Sequence, residues 1–363
     1  MILGPSSPDR RAVVLGMSAL ALSRAGFAQH TSVSMPSSID GMGELHPAYD
    51  GTLLDAILSS GLRGIVVTVG NPALQGASAL DDMRAEVAST DAHIAREPSR
   101  LMKVRRVGDF AEARKTSRIG VLAYTQNATP IGDDLARLKD LQAMGVLGVQ
   151  LTYNSRNLLG DGCLERTNSG LSTFGIEVVQ AMNDLGMFID ASHTGEASTV
   201  DAITFSRKPI SINHAGCKGV FDHPRNKSDR LLRLLGDRGG VIGIFQINPY
   251  LGRADRNTLD TFLDHVDHAV KVAGIEHVGI GSDRDHRVIA DTEEEKQKLI
   301  EELSRLRPVN AANFRWPFFI KELNGPRRME AVHAGLVRRR YTSSQIDKIL
   351  WSNFERLFRE TLG

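Results

Sequence analysis

Only two cysteines, Cys163 and Cys217, occur among the 363 residues. They can pair with each other, but two thiols make neither a disulfide framework nor a thiolate metal cage. Charge of one sign is equally scarce. Lys and Arg number 44 against 43 Asp and Glu, a formal charge of +1, so no basic face able to hold a phosphate backbone is implied and nucleic acid is not an expected partner. The sequence lacks a G-x-G-x-x-G loop and a G-x-x-x-x-G-K-[ST] loop, which argues against a doubly wound nucleotide binder. What it has is a loop-rich globular composition, with 34 Gly, 13 Pro and 41% hydrophobic residues, and length for one large domain or two modest ones.

Residues 1–28 read as an export signal. Arg10-Arg11 precede an uncharged stretch from Ala12 to Leu22, and Gly26 and Ala28 supply small residues before a cut. Paired arginines, a short and moderately apolar core and the extra Arg24 fit a twin-arginine signal. The stretch is too short to span a bilayer, which needs about 20 residues, so no transmembrane anchor is expected in the mature chain. This reading predicts a mature protein starting near Gln29, residues 29–363 forming one domain, export by the twin-arginine machinery and a periplasmic location. Folding before export mildly favours a protein loaded with a metal.

The remainder repeats a rhythm of short apolar runs and amphipathic stretches. Gly64 to Val69, Ile119 to Ala123, Gly148 to Leu151, Met187 to Asp190, Pro209 to Asn213, Gly240 to Phe245 and Val278 to Gly281 are bounded by Gly, Asp or Asn, as buried parallel strands are. A strand near Ser38 to Leu45 completes eight. Helical spacing marks Asp133 to Met144, Gly175 to Leu185, Asp229 to Leu235 and Leu259 to Ala273. The pattern predicts a parallel α/β domain. Nearly every strand ends in polar residues: Asp40 to Glu44, Gln126, Tyr153-Asn154, Ser192-His193, Asn213-His214 and Ser282-Asp283. Chemistry drawn from many strand ends favours a closed (β/α)8 TIM-like barrel over an open sheet.

His193 and His214 each follow a buried strand, and two imidazoles on neighbouring strand ends can converge on one ion. A pair of hydrogen-bonded structural histidines is the alternative. Asp283 ends a third strand, where it can orient a water, bind a cation or simply make a turn. Asp264, His265, Asp267 and His268 resemble a metal cluster in composition, yet they lie on the helix Leu259 to Ala273 and are expected on its solvated face.

Four ordered segments carry a family resemblance. Asp190-Ala191-Ser192-His193, Pro209-Ile210-Ser211-Ile212-Asn213-His214-Ala215, His223-Pro224-Arg225-Asn226 and His277-Val278-Gly279-Ile280-Gly281-Ser282-Asp283 resemble the membrane (renal) dipeptidase family, metallopeptidases among the amidohydrolase-like barrels. Leu151-Thr152-Tyr153-Asn154 and Gly170 to Gly175 add to it, and the likeness runs from about residue 38 to 285. The resemblance implies a barrel with a two-zinc centre that hydrolyses dipeptides, a bridging water attacking the peptide carbonyl.

Several of the family's ligands are replaced. Its Asp-x-His-x-Asp stretch is Asp40-Gly41-Met42-Gly43-Glu44 here, its bridging Glu matches Gln126, and its His in L-T-H-N is Tyr153. His193, His214, Asp283 and Arg225 are retained. A neutral amide does not offset the repulsion between two close ions as a carboxylate does, and a thioether matches a nitrogen and oxygen site poorly. One zinc is therefore expected rather than two. The metal candidates are His193, His214, Glu44, Gln126 and Asp283, with Met42 packing in the barrel mouth. His46, two residues beyond Glu44, restores an imidazole only if the register shifts. Arg225 is assigned to a substrate carboxylate, with a helix-start salt bridge to Asp229 as the alternative. Tyr153 is assigned to oxyanion stabilisation, with simple aromatic packing as the alternative, and Asp283 to catalysis.

Three functions stay open: a periplasmic metal-dependent dipeptidase or amidase, the same scaffold turned to a non-hydrolytic tailoring step on a peptide-like metabolite, and an inactive relative that binds a peptide or small acid. The substrate and the oligomeric state, a homodimer included, are not fixed by the residues.

Overall fold

The computed structural model describes residues 35–306 and 314–362. The expected signal at residues 1–28 lies outside the described residues. Nine parallel strands form the sheet: β1 (Ser38–Asp40), β2 (Leu62–Thr68), β3 (Leu101–Lys103), β4 (Ile119–Thr125), β5 (Val146–Gln150), β6 (Phe188–Asp190), β7 (Ser211–Ala215), β8 (Val241–Ile244) and β9 (Val278–Ile280). All except β3 close into a ring in the order β1, β2, β4, β5, β6, β7, β8, β9 and back to β1. This is the (β/α)8 barrel expected from the strand rhythm. β3 pairs only with Ile119 to Val121 at the start of β4. Its three residues are too short a run to carry a period.

Local chemistry sets the helices between the strands. Ser172 begins the helix Thr173–Leu185 by accepting the Gly175 N–H at 2.9 Å, and Gly186 ends it at φ +67°. Ser228 caps Asp229–Asp237 in the same way through the Leu231 N–H. The expected helix at Asp133 is shorter and starts at Arg137. The strand expected over Ser38 to Leu45 stops at Asp40, where the chain leaves the ring to form part of the mouth.

Strand alternation divides the apolar residues between two cores. On β4, Val121 and Ala123 face the helices, whereas Leu122 and Tyr124 face the inside of the ring. Rings from the end of the chain, Trp351, Phe354 and Phe358, fill that interior together with Phe110 and Phe188. Glycines make the room: a Cβ at Gly279 would lie 2.5 Å from the Phe354 ring, and one at Gly148 would lie 2.1 Å from Phe188.

The possible pairing of Cys163 with Cys217 is not formed; both are free. One expectation changes at the helix layer. The Asp264 to His268 group is not a metal cluster, but neither is it wholly a solvated face. His265 is fully buried, accepting the Cys217 N–H at Nδ1 (2.9 Å) and donating from Nε2 to the Leu251 carbonyl (2.9 Å). Helical spacing puts it on the stripe of Phe262, Val266 and Ala269. Asp264 and Asp267 pair with Arg339, and His268 pairs with Asp229.

Phe354 joins the barrel interior to the C-terminal helix Asn353–Leu362. Phe354→Ala is expected to lower unfolding free energy by about 3–5 kcal/mol, the range for opening a cavity at a buried aromatic. A denaturation midpoint within error of the parent would contradict this packing.

Candidate active site

The ends of β6 and β7 are knitted together by one carboxylate. Asp190 accepts the Ser192 N–H (3.1 Å), the Ser192 hydroxyl (2.6 Å) and the Asn213 N–H (2.8 Å), while Ser192 Oγ accepts the His214 N–H (3.0 Å). This places the imidazoles of His193 and His214 side by side, with ring centroids 5.0 Å apart at 61°. Asn154 Oδ1 is an acceptor, so the 2.8 Å contact makes His193 Nδ1 the protonated nitrogen and leaves the lone pair on Nε2. His214 is fully buried, and among the described residues neither of its ring nitrogens has a hydrogen-bond partner. It is therefore not a hydrogen-bonded structural histidine. Burial, together with the nearby Arg225 and Lys227 charges, pushes its pKa well below the ordinary value. The neutral ring is the form that binds metals.

Two buried cations hold this strand end from behind. Arg225 donates from Nη1 to the Ser192 carbonyl (2.6 Å) and from Nη2 to the His214 carbonyl (3.3 Å), with its guanidinium over the Phe245 ring. The salt bridge to Asp229 is not formed; Asp229 accepts from His268 instead. Lys227 donates to the carbonyls of Ala191 (2.9 Å) and Thr194 (2.7 Å), and burial lowers its pKa to about 8. Lys227 escaped the sequence reading because nothing in its neighbours marks a lysine as buried. Asn154 was visible only as part of a polar strand end.

The first-strand side of the mouth is built differently. Met42 is buried, and its Sδ accepts from the Tyr124 hydroxyl (3.2 Å), Gln126 Nε2 (3.5 Å) and the Thr68 hydroxyl (3.7 Å). Gln126 thus turns its N–H toward the sulfur. Glu44 accepts from His46 Nε2 at 2.9 Å, and His46 lies 3.7 Å from Asp285. These three offer ligand atoms within 4.8 Å of one another, but Arg287 and Tyr49 already donate to Asp285. His46 is engaged with Glu44 and Asp285, so no register shift is needed to account for it. Asp283 follows β9 in a left-handed conformation, φ +53°. Its N–H donates to the Met42 carbonyl (2.8 Å), and burial raises its carboxyl to about 6.

A cavity of about 350 Å³ connects the two sides. His193, Asp283, Arg225, Tyr153, Gln126 and Glu44 all line it, so the expected site residues share one mouth, with His214 buried against His193. Tyr153 stacks on the His193 ring at 4.2 Å between centroids; it both packs and borders the cavity. The residues fit one of the family's two ions and not the other. His193 and His214 present imidazole nitrogens to one point, those of His214 buried with no hydrogen-bond partner among the described residues. On the other side three hydrogen-bond donors converge on a thioether, an arrangement without the carboxylate that would bridge two cations.

Comparison with known proteins places this geometry. A dipeptidase of Clonostachys rogersoniana, verJ, is 36% identical over 198 residues, covering 53% of this chain and 50% of that protein. An uncharacterised dipeptidase of Schizosaccharomyces pombe is 33% identical over 182 residues, 48% of this chain and 44% of its own. The chain spans about half the length of these curated relatives. Among solved structures, an amidohydrolase from Pseudomonas aeruginosa superposes with a TM-score of 0.78 at 26% identity, over 90% of this chain and 97% of that one. A Rhodobacter sphaeroides metallopeptidase liganded with a phosphinate mimic of the dipeptide L-Ala-D-Ala shares the fold, with a TM-score of 0.74 at 18% identity over 90% and 99% of the two chains. The model of the membrane dipeptidase family, peptidase family M19, matches residues 54–309, and with the barrel, the paired strand-end histidines and Asp283 in one mouth, the chain belongs to that family.

Proposed function

We propose that this chain is a metal-dependent dipeptidase-like hydrolase that holds one zinc ion on His193 and His214. The observation that carries the reading is His214: a buried, neutral imidazole with no hydrogen-bond partner at either nitrogen among the described residues, set beside a second imidazole whose tautomer Asn154 fixes. Leaving such a group unsatisfied is costly unless a ligand completes it. When bound, zinc supplies Lewis acidity and a water of lowered pKa.

The chain's own groups supply the rest. Arg225 retains N–H donors beyond the two that hold the Ser192 and His214 carbonyls, and these bind the substrate carboxylate. The Tyr153 hydroxyl donates to the oxygen of the scissile carbonyl as charge develops there. The Asp283 carboxylate takes a proton from the attacking water and returns it to the departing amine as the C–N bond breaks. The dipeptide mimic in the Rhodobacter sphaeroides relative supports a small peptide as the substrate class. Export by the twin-arginine machinery to the periplasm belongs to the same proposal and rests on residues 1–28. A second reading, the same scaffold serving a non-hydrolytic step or peptide binding alone, draws on the Met42 thioether standing on the first-strand side of the mouth.

Elemental analysis and turnover of a dipeptide panel test the proposal together. His193→Ala and His214→Ala are each expected to lose the ion and the activity, and Asn154→Ala to weaken metal affinity by about 10–100-fold, as loss of a partner that orients a ligand does. Arg225→Lys keeps a cation under the Ser192 carbonyl but loses the fork, so KM is expected to rise while the metal stays bound. Full metal retention in both histidine variants would refute the metal centre. Metal bound without turnover of any dipeptide would leave the second reading in its place.

The first-strand side has its own test. The triple variant Met42→His, Glu44→Asp, Gln126→Glu restores the family's ligands and is expected to raise metal stoichiometry from one toward two. Stoichiometry unchanged in a folded triple variant would mean that those three side chains do not limit the site to one ion.

A further inference from the structure

Arg284 follows Asp283 directly and is 8% exposed, yet its guanidinium makes no hydrogen bond and no ion pair within 4 Å among the described residues. The guanidinium carbon lies over the face of Phe318, 5.9 Å from the ring centroid. Arg225, by contrast, already donates to two carbonyls. A guanidinium carries five N–H donors and does not discharge by losing a proton; those of Arg284 are not among the sealed polar atoms of the described residues and open onto the cavity that it lines. Glu44, Asp283 and Asp285 contribute a favourable field at Arg284, but burial outweighs them and none reaches contact.

The position of Arg284 says what would satisfy it. It lines the same cavity as His193, Asp283 and Arg225. Arg225 stands against the ends of β6 and β7, and Arg284 stands beyond the end of β9, with β8 between them. Each rests on an aromatic face, Phe245 and Phe318 respectively, and Ile247, Tyr250 and Leu299 add apolar surface to the cavity wall. Two separated cations over apolar surface match a ligand with two anionic groups joined by methylene carbons.

We propose that Arg284 is a specificity-determining residue that binds the side-chain carboxylate of an acidic dipeptide whose terminal carboxylate is held by Arg225. This rests on the reading of the cavity as a dipeptide site. A planar fork accepts a carboxylate bidentately, so the preference is for Asp- or Glu-containing substrates over neutral ones of similar size.

The test compares kcat/KM for Ala-Glu and Ala-Gln in the parent and in Arg284→Met, Arg284→Lys and Arg284→Glu, each checked for an intact thermal transition. The parent is expected to favour Ala-Glu, Arg284→Met to reduce the ratio by about tenfold or more, the order expected for losing a hydrogen bond to a charged group, and Arg284→Glu to shift preference toward Ala-Lys. Arg284→Lys should keep part of the ratio. A parent ratio near one, or a loss shared equally by all dipeptides, would overturn the proposal. Calorimetric binding of glutarate against butyrate separates it from the hydrolase reading. Glutarate bound more tightly than butyrate, with the difference lost in Arg284→Met, supports the acidic subsite even if no dipeptide is cleaved. Equal binding of the two acids by the parent, or a difference that survives in Arg284→Met, removes the subsite whatever the activity.

Discussion

The barrel closes on one buried carboxylate. β1 meets β9 in a single register pair, Asp40 with Ile280, and the two strands are held there by Asp40, which reaches 242 positions along the chain to accept the Ser282 N–H at 2.7 Å and the Ser282 hydroxyl at 2.6 Å. The same side chain accepts the Met42 N–H at 3.3 Å. Burial lifts its carboxyl to about 6, against the pull of those donors and of Arg328, which itself donates to Ser282 Oγ and to the Arg284 carbonyl. Everything on the first-strand side of the mouth hangs from this seam. Met42 and Glu44 leave it in one direction, Asp283 and Arg284 in the other, so the geometry of four cavity residues is set by one aspartate that need not touch a ligand. Asp190 performs the parallel task between β6 and β7.

Much of this was legible in the residues. A buried parallel strand is a short apolar run that stops at a polar residue, and in a barrel that polar residue faces the mouth; His193, His214 and Asp283 could be read for that reason alone. Their grouping also needs the order of strands around the ring, which the family likeness supplied. The residues that escaped were those whose role is set by contacts distant in sequence. Lys227 reaches the carbonyls of Ala191 and Thr194 across more than thirty positions. Arg284 looks like an ordinary loop arginine until the cavity wall is built around it. His265 reads as a surface residue because its charged neighbours Asp264, Asp267 and His268 mask the apolar stripe to which it belongs.

Met42 shows how a single replacement reorganises its surroundings. A histidine there would present a nitrogen lone pair and a second polar atom, whereas a thioether offers a soft, weak acceptor. Thr68, Tyr124 and Gln126 turn their donors onto it, so the pocket is satisfied internally. Gln126 is part of that arrangement and not an isolated loss: an ionised Glu at the same position would bring a second charge against a sulfur that cannot neutralise it.

The buried cations of the mouth have a consequence for how the protein meets a changing environment. Arg225, Lys227 and Arg284 are covalent parts of the chain, and their positive charge is present whatever the supply of metal outside. A binuclear site owes its attraction for anions to ions that a chelating host or a metal-poor medium can strip away. Here much of that attraction is written into the polypeptide, where substitution of a side chain adjusts it without touching a metal ligand.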